Sequence, residues 1–145
     1  MLDNWKDIAP EIAYKISEES AKAELGKILK YYEADLETQP ADIEGAINQI
    51  FVRLVSAIRQ GKIELKENDK TGDLEIIQHL KNGDALKFRA LQGRDKTRLD
   101  AVDPQRKIYQ LAGILCGLGE DAIMKLSSMD LRITESIASF LLIMA

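Results

Sequence analysis

The sequence predicts a mostly helical α+β fold: an N-terminal helical hairpin, a small antiparallel β-hairpin, and a C-terminal cluster of short helices. Three observations carry this reading. Apolar residues recur at helical spacing from Ile43 to Ile58, and an Asn-Gly pair divides two short apolar runs between Leu74 and Leu91. A proline start, a glycine stop and a serine start then punctuate residues 103 to 142. With 145 residues, 46% of them hydrophobic and 30% charged, a real core can be buried. The organisation expected is a helical segment over residues 1–62 and a β-hairpin with C-terminal helices over 63–145, together making one compact unit.

Pro10 can open a helix carrying Ile12, Ile16, Leu25, Ile28, Leu29, Tyr32 and Leu36. Its stripe drifts, which predicts a bend or a second start near Glu18-Glu19-Ser20. The next helix is more regular. Pro40 or Asp42 starts it, Ile43, Ala46, Ile47, Ile50, Phe51, Leu54, Val55 and Ile58 form one stripe, and Gly61 ends it. The short link from Thr38 to Ala41 implies that the two helices lie antiparallel. Lys66 to Gly72 is polar and turn-rich, and Ile63 and Leu65 can add a third short strand before it.

Leu74–Leu80 and Ala85–Leu91 flank the turn. A two-residue Asn82-Gly83 loop would pair Leu80 with Ala85, His79 with Leu86 and Ile77 with Phe88. That register puts Ile77, His79, Leu86 and Phe88 on the buried side and Gln78, Lys87 and Arg89 on the other. A lone hairpin is marginal in water, so a helix must cover its apolar face. Gly93 to Leu99 reads as a short helix. Asp103-Pro104 gives an N-cap with proline at the first helical position, followed by Ile108, Leu111, Ala112 and Leu115 and stopped by Gly117 and Gly119. Glu120 to Leu126 is a connector. Ser128 then caps a helix carrying Leu131, Ile133, Ile137, Ala138 and Phe140 to Leu142. Phe51, Phe88 and Leu111 are the expected core anchors.

Residue types that carry chemistry are sparse. The one histidine, His79, has no second His and no Cys or carboxylate at metal-ligand spacing, so a structural or solvent-facing role is expected. Glu18-Glu19, Asp69 with Asp73, and Glu120-Asp121 lie in polar turns or at helix starts, without the apolar surroundings that raise a carboxylate pKa. Gly113, Gly117 and Gly119 do not follow a strand as a phosphate loop would, and Ser127 and Ser128 lack a nucleophile-elbow context. Cys116 lies among Ile114, Leu115 and Leu118 and reads as a small buried hydrophobe. No catalytic residue, metal or cofactor is expected.

A net charge of −4 argues against general affinity for nucleic acid or an anionic membrane. The stretch from Lys87 to Lys107 nevertheless holds seven Lys or Arg against three Asp. It is either a solvated face or a landing site for an acidic partner segment. Met1 to Asp7 is charged from the start, unlike a signal peptide, and the apolar run Phe140 to Ala145 is too short to span a bilayer. Cytoplasmic residence is expected.

Leu86-Lys87-Phe88-Arg89-Ala90-Leu91-Gln92-Gly93-Arg94-Asp95, then Ile108 to Gly119, then Leu126-Ser127-Ser128-Met129-Asp130-Leu131 with Ser139-Phe140-Leu141, resembles the small tail assembly chaperones of long-tailed bacteriophages and prophages. In that family a hairpin ends in an arginine-containing strand before a Gly-basic-Asp helix start. A helix ending at a Gly-Leu turn follows, and a Leu-x-x-x-Asp step leads into a last helix closing on Ala-x-Phe-Leu. The similarity spans about residues 74 to 142, and residues 1 to 62 lie outside it. It implies a non-catalytic chaperone in the host cytoplasm that binds the tape measure protein, a very long helical chain, and keeps it soluble.

The expected partner-binding residues are Ile133, Ile137, Phe140 and Leu141 on the apolar last helix, with Arg89, Arg94 and Arg98 at the rim. Two rivals remain. One is a generic interaction or regulatory module, as a homodimer joined through the Ile43 to Ile58 helix; the other is an enzyme whose pocket would gather His79 with two or more carboxylates.

Overall fold

The computed structural model describes residues 4–10, 13–32, 36–37, 41–67, 69–70, 72–99 and 106–144, the side chains of residues 41–43, 96 and 144 excepted. After a 3₁₀ turn at Trp5–Asp7 come α1 (Glu18–Tyr31), α2 (Ala41–Arg59), β1 (Ile63–Glu67), β2 (Leu74–His79), β3 (Ala85–Phe88), α3 (Gly93–Leu99), α4 (Lys107–Cys116), α5 (Glu120–Met124) and α6 (Ser128–Met144). The class is mixed α+β, with helices on either side of the sheet in sequence.

The first helix starts later than Pro10. Ser17 is extended, and its hydroxyl accepts the Ser20 amide at 3.1 Å, so α1 begins at Glu18, where Glu18 and Glu19 complement the helix dipole. Lys15 and Ile16 are held instead by the far end of α2, their amides donating to the Arg59 carbonyl at 2.6 and 3.3 Å. The Arg59 guanidinium donates back to the Ile16 carbonyl at 3.2 Å and stacks 3.8 Å over the Tyr14 ring. The start of α1 thus lies beside the end of α2, which makes the pair antiparallel. The Thr38 to Ala41 link, Ile12 and the choice between Pro40 and Asp42 fall outside the described residues or side chains. Past α2, Gly61 is left-handed (φ 76°), and the Lys62 and Gly61 amides return to the Ala57 and Ile58 carbonyls.

The sheet has the order β1-β2-β3 and is antiparallel throughout. Ile63 and Leu65 do form the third strand. The expected hairpin register is off by one residue, because the loop has three residues instead of two. The Gly83 amide donates to the Leu80 carbonyl at 3.0 Å, the Leu80 amide to the Asp84 carbonyl at 2.8 Å, and Gly83 takes φ 96°. Ile76 therefore pairs with Phe88, Gln78 with Leu86 and His79 with Ala85. One extra residue turns β2 over. Ile76 and Gln78 face the core together with Leu86 and Phe88, while His79 is exposed and bonds Glu64 across β1 at 2.9 Å. Ile77, also buried, lies on the outer face between Glu64 and Lys87.

The helices after the sheet close the core. Gly117 stops α4 in the left-handed conformation (φ 78°). A Cβ at Gly113 would collide with the Gly119 backbone, so the tight return from α4 to α5 requires glycine there. Ser127, not Ser128, caps α6: its carbonyl accepts the Leu131 amide at 2.8 Å and its hydroxyl the Asp130 amide at 3.3 Å. Asp103-Pro104 lies outside the described residues, and α4 begins at Lys107 after Arg106, whose side chain does not cap the helix and instead pairs with Glu120. One apolar cluster joins Leu25 and Ile28 of α1, Leu54 and Ile58 of α2, Phe88 of β3, Leu111 of α4 and Phe140 of α6. Phe88 and Leu111 are fully buried, whereas Phe51 is only partly covered, its ring 6.0 Å from that of Phe140.

Candidate partner-binding surface

The apolar end of α6 is interior. Ile137, Phe140 and Leu141 belong to the core cluster with at most 2% exposure, so the expectation that they form a free binding surface is corrected. The helix packs against both α2 and α4, and those two neighbours absorb the apolar side chains that looked surplus in the sequence. Ile133 is the exception: it is half-buried and lines a cleft.

The three arginines expected at the rim do not act together. Arg94 and Arg98 are exposed. Arg89 forms a two-pronged ion pair with Asp95, its two guanidinium nitrogens donating at 2.7 and 2.9 Å. The Asp95 carboxylate also accepts the Gln92 amide at 2.8 Å, closing the first turn of α3 onto the end of β3. The paired guanidinium holds the Asp95 carboxyl at about 2, against the opposing effect of burial, and the carboxylate raises the Arg89 pKa in turn. This pair fixes a strand-to-helix corner, which leaves Arg89 committed to the fold.

What the surface offers lies around α2. Between α2 and α6 is a cleft of about 170 Å³, floored by Leu54, Ala57, Ile63 and Ile133 and edged by Arg53, Lys62, Arg132 and Met129. On the other flank of α2, a groove of about 530 Å³ runs along α1 past Tyr14, Leu25, Phe51 and Val55. Val52 stands on that groove with 69% of its surface exposed, and Met129 on the cleft with 52%. Ser56 lines both depressions, so α2 presents a ridge between two apolar hollows. The inward side of the same helix, Ile47, Leu54 and Ile58, is buried within the chain, so a dimer joined through the Ile43 to Ile58 stripe would have to open the core.

Among the described residues no group of three or more His, Cys, Asp or Glu is placed to hold a metal ion. No helix among them is long and apolar enough to cross a membrane. His79 reaches one carboxylate, Glu64, on the exposed face of the sheet. Cys116 is half-buried, with its thiol pKa pushed up by burial, the condition of an inert rather than a nucleophilic thiol.

No family model, curated protein or solved structure matches this chain.

Arg53, Lys62, Met129 and Arg132 are absent from the residues that the sequence points to as partner-binding. A signal for all but Lys62 exists: Arg53, Ser56, Ala57 and Gln60 recur at helical spacing beside the apolar stripe of α2, and Met129, Arg132 and Ile133 do the same on α6. Joining the two flanking stripes requires the knowledge that α2 and α6 are neighbours.

Proposed function

We propose that this protein is a non-catalytic binding module that holds a helical segment of a partner on the surface formed by α2 with α1 and α6. The observation that carries the reading is that two apolar hollows flank one helix, with Val52 exposed at one and Met129 at the other. Helix-in-groove recognition needs such a surface: apolar hollows to take side chains spaced at i, i+3, i+4 and i+7, and polar groups around them to set orientation.

The motifs between residues 74 and 142 that resemble phage tail assembly chaperones give this reading its specific form. The partner is then a tape measure protein, whose apolar helical stretches must stay soluble until the tail tube forms around them.

Co-expression with helical segments of a tape measure protein tests the reading. The parent keeps such segments soluble and co-purifies with them. A Val52→Asp/Met129→Asp variant, altered only at exposed positions, melts like the parent and loses the complex, because charge is placed where apolar burial supplies affinity. Aggregation of every segment in the presence of the parent would overturn the phage assignment.

A further inference from the structure

The α2–α6 cleft gathers positive charge in a chain that is acidic as a whole. Arg53 comes from the middle of α2, Lys62 from the residue after its glycine stop and Arg132 from α6, and all three edge the same small cleft. No hydrogen bond or ion pair engages any of these three side chains among the described residues. Elsewhere Lys22, Lys27 and Arg89 are each met by a carboxylate. Among the described residues no carboxylate lines the cleft, and its floor of Leu54, Ala57, Ile63 and Ile133 is apolar.

We propose that this cleft recognises an acidic amphipathic helix of a partner protein, seating one apolar side chain while Asp or Glu residues one turn away meet Arg53, Lys62 and Arg132. A volume of about 170 Å³ accommodates a side chain of leucine size and not a whole helix, so the rest of the ligand lies across the rim, where the cations stand. Carboxylates three or four residues from the seated side chain fall on the same face of a helix, which matches a triangle of cations around a single hollow. The inference rests on the binding-module reading and adds the charge and spacing its ligand must carry. Nucleic acid fits less well: the floor is apolar, no aromatic ring among the described residues lines the cleft for a base to stack on, and the chain's net charge is −4.

The test uses two labelled peptides and the full chain, read by fluorescence anisotropy. One peptide carries leucine at the seat with glutamates three and four residues to either side; its twin carries lysine in place of every glutamate. The glutamate peptide binds, weakens with added salt, and weakens by about tenfold or more in an Arg53→Glu/Arg132→Glu variant, while the lysine twin does not bind. Both substitutions lie at exposed positions, and Arg53→Gln/Arg132→Gln serves if the charge reversal disturbs folding.

Equal binding of both peptides, binding of neither, or tighter binding of a single-stranded oligonucleotide overturns the proposal. So does a dimer in sedimentation that Arg53→Glu dissociates, which would make a second copy the occupant. If tape measure segments are kept soluble while the glutamate peptide is ignored, this inference fails and the module reading stands. If the peptide binds and no tape measure segment is kept soluble, the cleft chemistry stands and the phage assignment fails.

Discussion

Gln78 and Thr134 meet inside the core in a hydrogen bond of 2.6 Å, the Thr134 hydroxyl placed against the Gln78 side-chain oxygen. The Gln78 amide nitrogen donates to the Asp130 carbonyl at 2.8 Å, and the Asp130 carboxylate accepts the Lys81 amide at 3.2 Å. Strand β2 and its turn are thereby tied to the first turns of α6 through groups that have left water. A buried polar group costs little when its partners are present and much when one is removed.

Thr134→Val should therefore destabilise the protein by about 1–3 kcal/mol, since it strands the Gln78 oxygen in the core. Gln78→Leu should cost a similar amount. The double variant should cost less than the sum, because neither polar group then lacks its partner. Denaturant melts of the three variants measure the coupling, and strict additivity would show that the two side chains do not depend on each other.

The hairpin turn gives a second prediction. Gly83 sits at φ 96°, and a Cβ added there would meet nothing within 4 Å, so a substitution acts through the backbone and not through a clash. Gly83→Val should cost about 1 kcal/mol or more, because a β-branched residue resists positive φ. An unchanged melting temperature would mean that the turn relaxes to another type.

The Arg89–Asp95 pair makes stability depend on pH in a defined window. The Asp95 carboxyl sits at about 2 in the folded chain, below its ordinary value of 3.8, so its contribution is fully present above that ordinary value and is lost as pH falls toward 2. The shift corresponds to about 2–3 kcal/mol at most, less with Arg89 partly exposed to solvent. Asp95→Asn should be less stable than the parent at neutral pH, and the difference should shrink between about pH 4 and pH 2. A difference independent of pH would mean that the loss does not come from the carboxylate's charge.

Much of the fold is legible in the sequence because its signals are local. The α2 stripe with its Gly61 stop, the third strand at Ile63 and Leu65, and the short helix from Gly93 to Leu99 each follow from a few neighbouring residues. The hairpin face is not legible. Asn-Gly marks the turn but does not say whether Lys81 joins the loop, and that one residue decides whether Gln78 or His79 goes inside. Alternation favours a polar Gln78 outside; the partners that satisfy it, Asp130 and Thr134, lie more than fifty residues on in α6. The binding surface is hidden for a related reason. Apolar content at the end of α6 is visible in the sequence, but whether it is surplus depends on α2 and α4 packing against it.

That packing gives Ile137 and Leu141 a structural role. Ile137→Asp should prevent folding or cost more than about 3 kcal/mol, since it buries an unpaired charge in the core. A cooperative thermal transition near that of the parent would return Ile137 to the surface.

In the proposed function, partners are held around α2 and not at the Arg89 to Arg98 corner or the end of α6. Amide hydrogen exchange on the chain alone and in complex with a tape measure segment tests this most directly. New protection is expected only on the exposed side of α2 near Val52 and Arg53, on the side of α1 that lines the groove near Lys22 and Leu25, and in the first turns of α6 near Met129 and Arg132, with residues 94–98 unchanged. Protection appearing at residues 94–98 while α2 exchanges as it does in the free chain would contradict it.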